Sequence, residues 1–127
     1  FRDSFTANPE CTVEWFGGVD FENLEKVMEK IKSLLVDKKE IHLMVNSYGG
    51  PTGVGMSFYD SMKNVFKPNL TTIGTGYVDS SAIIVYLAGE KRFLTKNTTL
   101  LFHLAGRKFD ADKRYSTRDM ENMLKEV

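Results

Sequence analysis

The chain has 127 residues, of which 42% are hydrophobic, enough for one compact domain with a buried core. Its 17 basic and 17 acidic residues cancel, so no basic surface favours nucleic acid and no acidic tail favours a charge-driven partner. The longest apolar run, residues 82–88, is too short to cross a membrane. The single cysteine, Cys11, excludes an internal disulfide framework and fits a reducing compartment, so we expect a cytoplasmic location.

The first half of the chain alternates between strand-like and helix-like apolar spacing. Thr12–Phe16 predicts a strand, and Asp20 is a candidate N-cap for the helix that follows. The apolar positions of that helix are Leu24, Val27, Met28, Ile31, Leu34 and Leu35. Residues 41–45 predict a second strand, and a turn at residues 46–51 leads into a second helix. The apolar face of the second helix is Val54, Phe58, Met62 and Val65.

The second half continues the alternation. Lys67 and Pro68 stop the second helix, and residues 70–75 predict a third strand. Residues 80–87 predict a helix that is apolar on all sides and therefore buried. Residues 92–94 predict a short strand and residues 99–104 a longer one. Ser116 opens a capping box for a last helix with the apolar face Met120, Met123, Leu124 and Val127.

This order of elements predicts one α/β domain over residues 1–127 with a mainly parallel sheet. Because the chain begins with Phe1 and stops at Val127 inside a predicted helix, we interpret it as a fragment or processed form that lacks its C-terminal portion. Ligands of parallel sheets bind at the carboxyl ends of the strands. Residues 46–50, 76–80 and 103–106 all fall at that edge, where we expect the functional site.

The glycine pair Gly49 and Gly50 has two interpretations. A strand-to-helix turn that needs positive φ explains such a pair without any chemistry. Alternatively, the backbone amides of the turn stabilise a substrate oxyanion. A phosphate site is not favoured, because no Gly-Lys-Ser/Thr follows and the run Gly74-Thr75-Gly76 lacks the third glycine of the dinucleotide pattern.

Ser80 and His103 are the candidate catalytic pair. Serine is a favoured N-cap, so Ser80 can simply cap the buried helix; as a nucleophile it needs a nearby imidazole. His103 ends an apolar strand and can supply that imidazole or be a core histidine, as we interpret His42. The site is not the Gly-x-Ser-x-Gly elbow, since Val78 and Ala82 occupy the glycine positions. Two histidines without cysteine or carboxylate at ligand spacing predict no metal, and we expect no cofactor.

Several ordered motifs between residues 41 and 103 point to one family. Residues 46–50 read Asn-Ser-Tyr-Gly-Gly, and residues 55–62 read Gly-Met-Ser-Phe-Tyr-Asp-Ser-Met. They resemble Asn-Ser-Pro-Gly-Gly and Gly-Met-x-Ile-Tyr-Asp-Thr-Met of the proteolytic subunit of Clp-type ATP-dependent proteases. Residues 67–68, residues 91–93 and Asn97 also match that family, whereas the flanks match weakly.

The resemblance implies a ClpP/crotonase fold and a serine endopeptidase that hydrolyses peptide bonds of unfolded chains. It implies Ser80 as the nucleophile and His103 as the general base. It also implies that the amides of Gly50 and Ser81 form the oxyanion hole.

The same resemblance implies the partners. Pro51 and Thr52 would help line an extended polypeptide substrate. The family assembles into homo-oligomeric rings and receives substrates from AAA+ unfoldases, so ATP-dependent proteolysis is expected. The apolar face of the last helix would then be an assembly surface.

Four departures from the family pattern stand out. Tyr48 replaces a proline, Asp79 replaces a small residue before Ser80, and Ser81-Ala82 replaces Met-Gly. A carboxylate beside Ser80 would oppose developing negative charge if it pointed inward. The family's triad aspartate lies beyond Val127, and losing that acid costs about 10⁴ in rate.

These departures leave three alternatives open. One is a non-catalytic Clp-like ring subunit. Another is a serine–lysine enzyme of the signal-peptide-peptidase kind, with Lys96 or Lys108 as the base. The third is a crotonase-type enzyme that uses the same amides on an acyl-CoA thioester.

Overall fold

The computed structural model describes residues 6–37, 40–101, 103–104 and 107–108. The helices are α1 (Phe21–Asp37), α2 (Thr52–Asp60) and α3 (Ser81–Leu87), with a 3₁₀ turn at Pro9–Cys11 and a π-helical segment, Ser61–Phe66, that continues α2. The strands are β1 (Thr12–Phe16), β2 (Ile41–Ser47), β3 (Leu70–Asp79), β4 (Lys91–Leu94), β5 (Thr99–Leu101), β6 (His103–Leu104) and β7 (Arg107–Lys108).

The main sheet has five strands in the order β1–β2–β3–β4, with β5 also paired to β3. Every pairing in this sheet is parallel. The predicted α/β class with a mainly parallel sheet is therefore confirmed. A parallel pair needs a crossover connection, which α1 provides between β1 and β2 and α2 between β2 and β3.

One flank of β3 is shared by two short strands. β4 pairs with residues 71–74 of β3 and β5 with residues 77–79. Between them, the amide of Thr95 and the hydroxyl of Thr98 both donate to the carbonyl of Gly74, at 3.0 and 2.9 Å. The hydroxyl of Thr99 donates to the carbonyl of Gly76 at 3.2 Å. These hydrogen bonds satisfy the β3 carbonyls where ladder pairing is interrupted.

The core lies where the helices pack on the sheet. Trp15 of β1 meets Phe58 of α2 edge to face, with ring centroids 5.2 Å apart, and both side chains are buried. Asp20 caps α1 as predicted, because its carboxylate accepts a hydrogen bond from the Asn23 amide at 2.8 Å. All seven residues of α3 are buried, which confirms the prediction of a helix with no solvent-facing side.

Three predicted elements differ from the structure. Val65 was assigned to the apolar face of the second helix but is 67% exposed, because the π-helical turns rotate it away from the face that Met62 occupies. The third strand runs on to Asp79, past Gly76, which takes a positive φ of 73°. The single strand predicted over residues 99–104 is divided, since β5 pairs with β3 while β6 pairs antiparallel with β7. The predicted last helix, after Ser116, lies outside the described residues.

Within the part of the chain that the structure describes, no helix is both long enough and apolar enough to span a bilayer.

Candidate active site

The ends of three parallel strands meet at one edge of the sheet. β2 leads into the glycine turn, β3 leads into Ser80, and β5 ends at Leu101. The amide of Ser80 donates to the carbonyl of Leu101 at 2.6 Å, which ties the start of α3 to the end of β5. The glycine turn also lies close to Ser80, since a Cβ placed on Gly49 would lie 2.7 Å from the Ser80 Cβ and 3.2 Å from the Ser80 Oγ.

Ser80 has an unusual backbone conformation. Its φ is 55° and its ψ is −127°, in the sharp turn between β3 and α3. Residues other than glycine adopt positive φ at a cost of about 1–3 kcal/mol, and such strain is concentrated at functional sites. A serine on a strained strand-to-helix turn presents its Oγ away from both elements. Ser80 occupies the N-cap position of α3 as the sequence allowed, but its hydroxyl makes no capping hydrogen bond there.

The glycine pair has four backbone polar groups, and three of them are engaged. The Gly49 amide donates to the Ser47 hydroxyl at 3.0 Å. The Gly49 carbonyl accepts from the Val19 amide at 3.0 Å, and the Gly50 carbonyl accepts from the Ser81 hydroxyl at 2.8 Å. The fourth group is the Gly50 amide, for which no described residue is an acceptor. It is therefore available to a ligand on this edge of the sheet.

The direction of the Gly50 amide follows from the planarity of the peptide. The Gly49 carbonyl and the Gly50 amide belong to one trans peptide, in which C=O and N–H point in opposite directions. Because the carbonyl points to Val19, the amide points away from the loop between β1 and α1. A Cβ on Gly50 would lie 2.2 Å from the Val19 carbonyl oxygen, so the contact with this loop requires glycine.

The Ser81 amide lies in the first turn of α3. Amides in the first turn of a helix have no intrahelical acceptor, and the helix dipole there favours negative charge. Ser81 itself is 3% exposed, and its side chain faces the glycine turn. The amides of Gly50 and Ser81 are thus carried by two segments that one hydrogen bond holds together.

The structure describes His103 as part of β6, where it pairs with Lys108 across the hairpin. It follows Leu101 by two residues, so its backbone lies within about 7 Å of Leu101, which in turn is bonded to the Ser80 amide. The chain therefore brings Ser80 and His103 to the same edge of the sheet. Lys96 precedes β5 and follows Thr95, whose amide bonds to Gly74 at the middle of β3 rather than at its Ser80 end.

Two exposed residues continue the glycine turn into α2. Pro51 occupies the N-cap position with a ψ of 130°, and Thr52 is the first residue of the helix. Both are exposed, as is Gly50 before them. This segment is open to an extended ligand lying along the site.

Two of the departures from the family pattern, Tyr48 and Asp79, flank the site, one exposed and the other buried. The rings of Tyr48 and Tyr77 lie 4.5 Å apart, and the two side chains are 71% and 44% exposed. Hydrogen bonding with Tyr77 raises the pKa of Tyr48, with desolvation and the charges of Tyr77 and Asp79 adding to the shift. Asp79 is 6% exposed and ends β3 directly before Ser80.

Sequence reasoning missed the residues that hold the glycine turn. Ser47 lies inside the motif, but nothing in the pattern shows that its hydroxyl accepts a hydrogen bond. Val19 acts through its backbone, which carries no sequence signal. The Ser81 hydroxyl was noted only as a departure, although a small polar residue after Ser80 was a visible cue. No group of three or more His, Cys, Asp or Glu among the residues described is arranged to hold a metal ion.

Comparison with known proteins agrees with this geometry. The family model described as Clp protease matches residues 8–127. The proteolytic subunit 3 of the ATP-dependent Clp protease of Rhizobium meliloti is 37% identical over 91 residues, covering 69% of this chain and 46% of that protein. The proteolytic subunit 1 from Leifsonia xyli is 36% identical over 95 residues, covering 70% and 47%.

Solved structures give the same result. ClpP1 from Listeria monocytogenes superposes with a TM-score of 0.68 at 33% identity, covering 80% of this chain and 61% of that one. The fold is therefore the one that the motifs implied, and the chain belongs to the Clp protease family. It spans about half the length of the proteolytic subunits it matches, at 46% and 47%.

Proposed function

We propose that this chain carries the nucleophile and oxyanion hole of a serine endopeptidase, the proteolytic subunit of a Clp-type protease. The observation that supports it best is the strained turn at Ser80, whose side chain is packed against Gly49 and makes no capping bond. The family match over residues 8–127 supports the same reaction.

In the proposed mechanism, His103 accepts the Ser80 proton as the hydroxyl attacks a peptide carbonyl. The carbonyl oxygen becomes an oxyanion, which the amides of Gly50 and Ser81 stabilise. His103 then protonates the leaving amine, and water releases the acyl group from Ser80. Pro51 and Thr52 line the extended polypeptide beside the glycine turn.

The oligomeric state and the partner of the chain are also part of the proposal. The proteins that match this chain are named as proteolytic subunits of an ATP-dependent protease. We accordingly propose a homo-oligomeric ring supplied with unfolded chains by an AAA+ partner. A cytoplasmic location remains a prediction from the sequence.

The test is covalent labelling of the full-length protein with a fluorophosphonate, read by intact mass and by cleavage of a fluorogenic peptide. We expect one adduct and measurable cleavage in the natural protein. Both should be absent in Ser80→Ala. The matched control is Ser57→Ala, which removes the hydroxyl of an exposed serine on α2 and should change neither readout.

The alternatives give different results. A full-length protein that takes no adduct and cleaves no peptide would identify a non-catalytic ring subunit. Labelling that survives His103→Ala but is lost in Lys108→Ala would indicate the serine–lysine mechanism. The named relatives favour neither result, and they do not favour the acyl-CoA enzyme.

A further inference from the structure

The hydroxyl of Ser81 makes a hydrogen bond that the proposed role of the Ser81 backbone amide does not require. Its hydroxyl donates to the Gly50 carbonyl at 2.8 Å, although the two residues are 31 positions apart in sequence. The side chain is almost fully buried, at 3% exposure. A buried hydroxyl aimed at one carbonyl fixes two segments relative to each other.

The acceptor is the carbonyl of the residue whose amide faces the site. The Gly50 carbonyl belongs to the Gly50–Pro51 peptide, which has no N–H of its own. The Val19 amide holds the preceding peptide through the Gly49 carbonyl at 3.0 Å. Gly50 is therefore held on both sides, by the β1–α1 loop through one peptide and by α3 through the next.

Without the Ser81 hydroxyl, only the first of these two restraints remains. That bond ties the glycine turn to α3, so without it the turn, with the Gly50 amide in it, could shift as a unit relative to α3. The Ser81 amide would stay with α3 while the Gly50 segment drifted. Oxyanion donors must keep their positions within a fraction of an ångström, since displacement weakens stabilisation of the transition state.

We propose that the Ser81 hydroxyl is a positioning group that locks the glycine turn to α3, so that the amides of Gly50 and Ser81 form one rigid pair. This inference rests on the proposed peptidase function, and it assigns to the Ser81 side chain a task separate from that of its amide.

The experiment compares Ser81→Ala, which removes the hydroxyl but keeps the amide, with Ser81→Thr, which keeps both, in the full-length protein. We expect Ser81→Ala to lower kcat about tenfold with KM changed less than about twofold, because the loss falls on the transition state. Ser81→Thr should restore most of kcat. Equal kcat in the natural protein and Ser81→Ala would overturn the inference.

A matched control separates positioning from general destabilisation. Thr72→Val removes another buried hydroxyl that bonds to α3, through the Tyr86 carbonyl at 2.6 Å, at the end of the helix away from Ser80. It should lower the unfolding temperature about as much as Ser81→Ala while leaving kcat unchanged. A similar loss of kcat in Thr72→Val would overturn the inference.

Amide hydrogen exchange tests the same lock without relying on turnover. In Ser81→Ala, the amides of residues 46–49 should exchange at least severalfold faster, whereas Thr72→Val should leave them unchanged. Unchanged exchange in Ser81→Ala would contradict the proposal even if activity fell. Conversely, if the natural full-length protein took no adduct and cleaved no peptide, the proposed peptidase function would fail, but faster exchange in Ser81→Ala would still support the lock.

Discussion

At the scale of the single residue, Ser80 is held in a conformation that serine does not favour. A φ of 55° with a ψ of −127° lies outside the regions that residues with a Cβ usually adopt. The surrounding bonds impose it, because the Ser80 amide is fixed to Leu101 and its carbonyl accepts from the Ile83 amide at 3.0 Å. Strain of this kind lowers stability and persists where it serves another purpose.

Replacing Ser80 by glycine should therefore stabilise the fold. Glycine adopts positive φ freely, so we expect Ser80→Gly to raise the free energy of unfolding by about 1 kcal/mol relative to Ser80→Ala. Urea unfolding monitored by Trp15 fluorescence would measure the difference. The alanine variant is the control, because it also lacks the hydroxyl but keeps the strained Cβ. Equal stability of the two variants would mean that the turn is not strained.

At the scale of the element, the continuation of α2 as a π-helix decides which side chains reach the core. Met62 is 2% exposed, whereas Val65, which an unbroken α-helix would place on the same side, is 67% exposed. The segment ends at Lys67, which takes a left-handed conformation with a φ of 50° before Pro68. The end of this helix was predictable from Lys67-Pro68, but its change from an α-helix to a π-helix at Ser61 was not.

Truncation of these two residues should have very different effects. We expect Met62→Ala to lower the free energy of unfolding by about 2–5 kcal/mol, because it leaves a cavity in the core. Val65→Ala should change it by less than about 0.5 kcal/mol, since the side chain faces solvent. Thermal unfolding of the two variants side by side would check this. A large loss in Val65→Ala would show that α2 continues as a regular α-helix in solution.

The elements were more predictable from the sequence than the site was. The spacing of apolar residues predicted α1 and its Asp20 cap, because a half-buried helix repeats its apolar side chains at the helical period. The uniformly apolar run predicted α3, because a fully buried helix is apolar on every side. Ser80 and the glycine pair were found as motifs. The bonds from Val19 and Ser81 to the glycine turn were not found, since they join segments distant in sequence and one of them uses only backbone atoms.

At the scale of the whole molecule, the burial of Tyr86 in α3 makes the stability of the fold depend on pH in the alkaline range. Burial raises the pKa of Tyr86 to about 12, although the charge of Arg92 acts in the opposite direction. The neutral phenol is therefore favoured in the folded state. The raised pKa of Tyr86 therefore adds to the free energy of unfolding. This contribution is fully present below the unfolded pKa of about 10 and is lost as the pH rises towards 12.

This loss should amount to about 2 kcal/mol between pH 10 and pH 12. In Tyr86→Phe, which cannot ionise at this position, the free energy of unfolding should fall correspondingly less over the same interval. Tyr59→Phe, on α2, controls for the removal of a tyrosine hydroxyl. Urea unfolding at half-unit pH steps would compare the three proteins. Parallel curves for the natural protein and Tyr86→Phe would contradict the assignment.

The divided flank of β3 also affects how copies of the chain can meet. β4 has four residues and β5 three, and threonine hydrogen bonds occupy the β3 carbonyls between them. A neighbouring extended chain finds no long, continuous row of unpaired backbone groups along this flank, and short edge strands are one way in which proteins resist aggregation. Crowded copies should therefore avoid joining strand to strand along this flank.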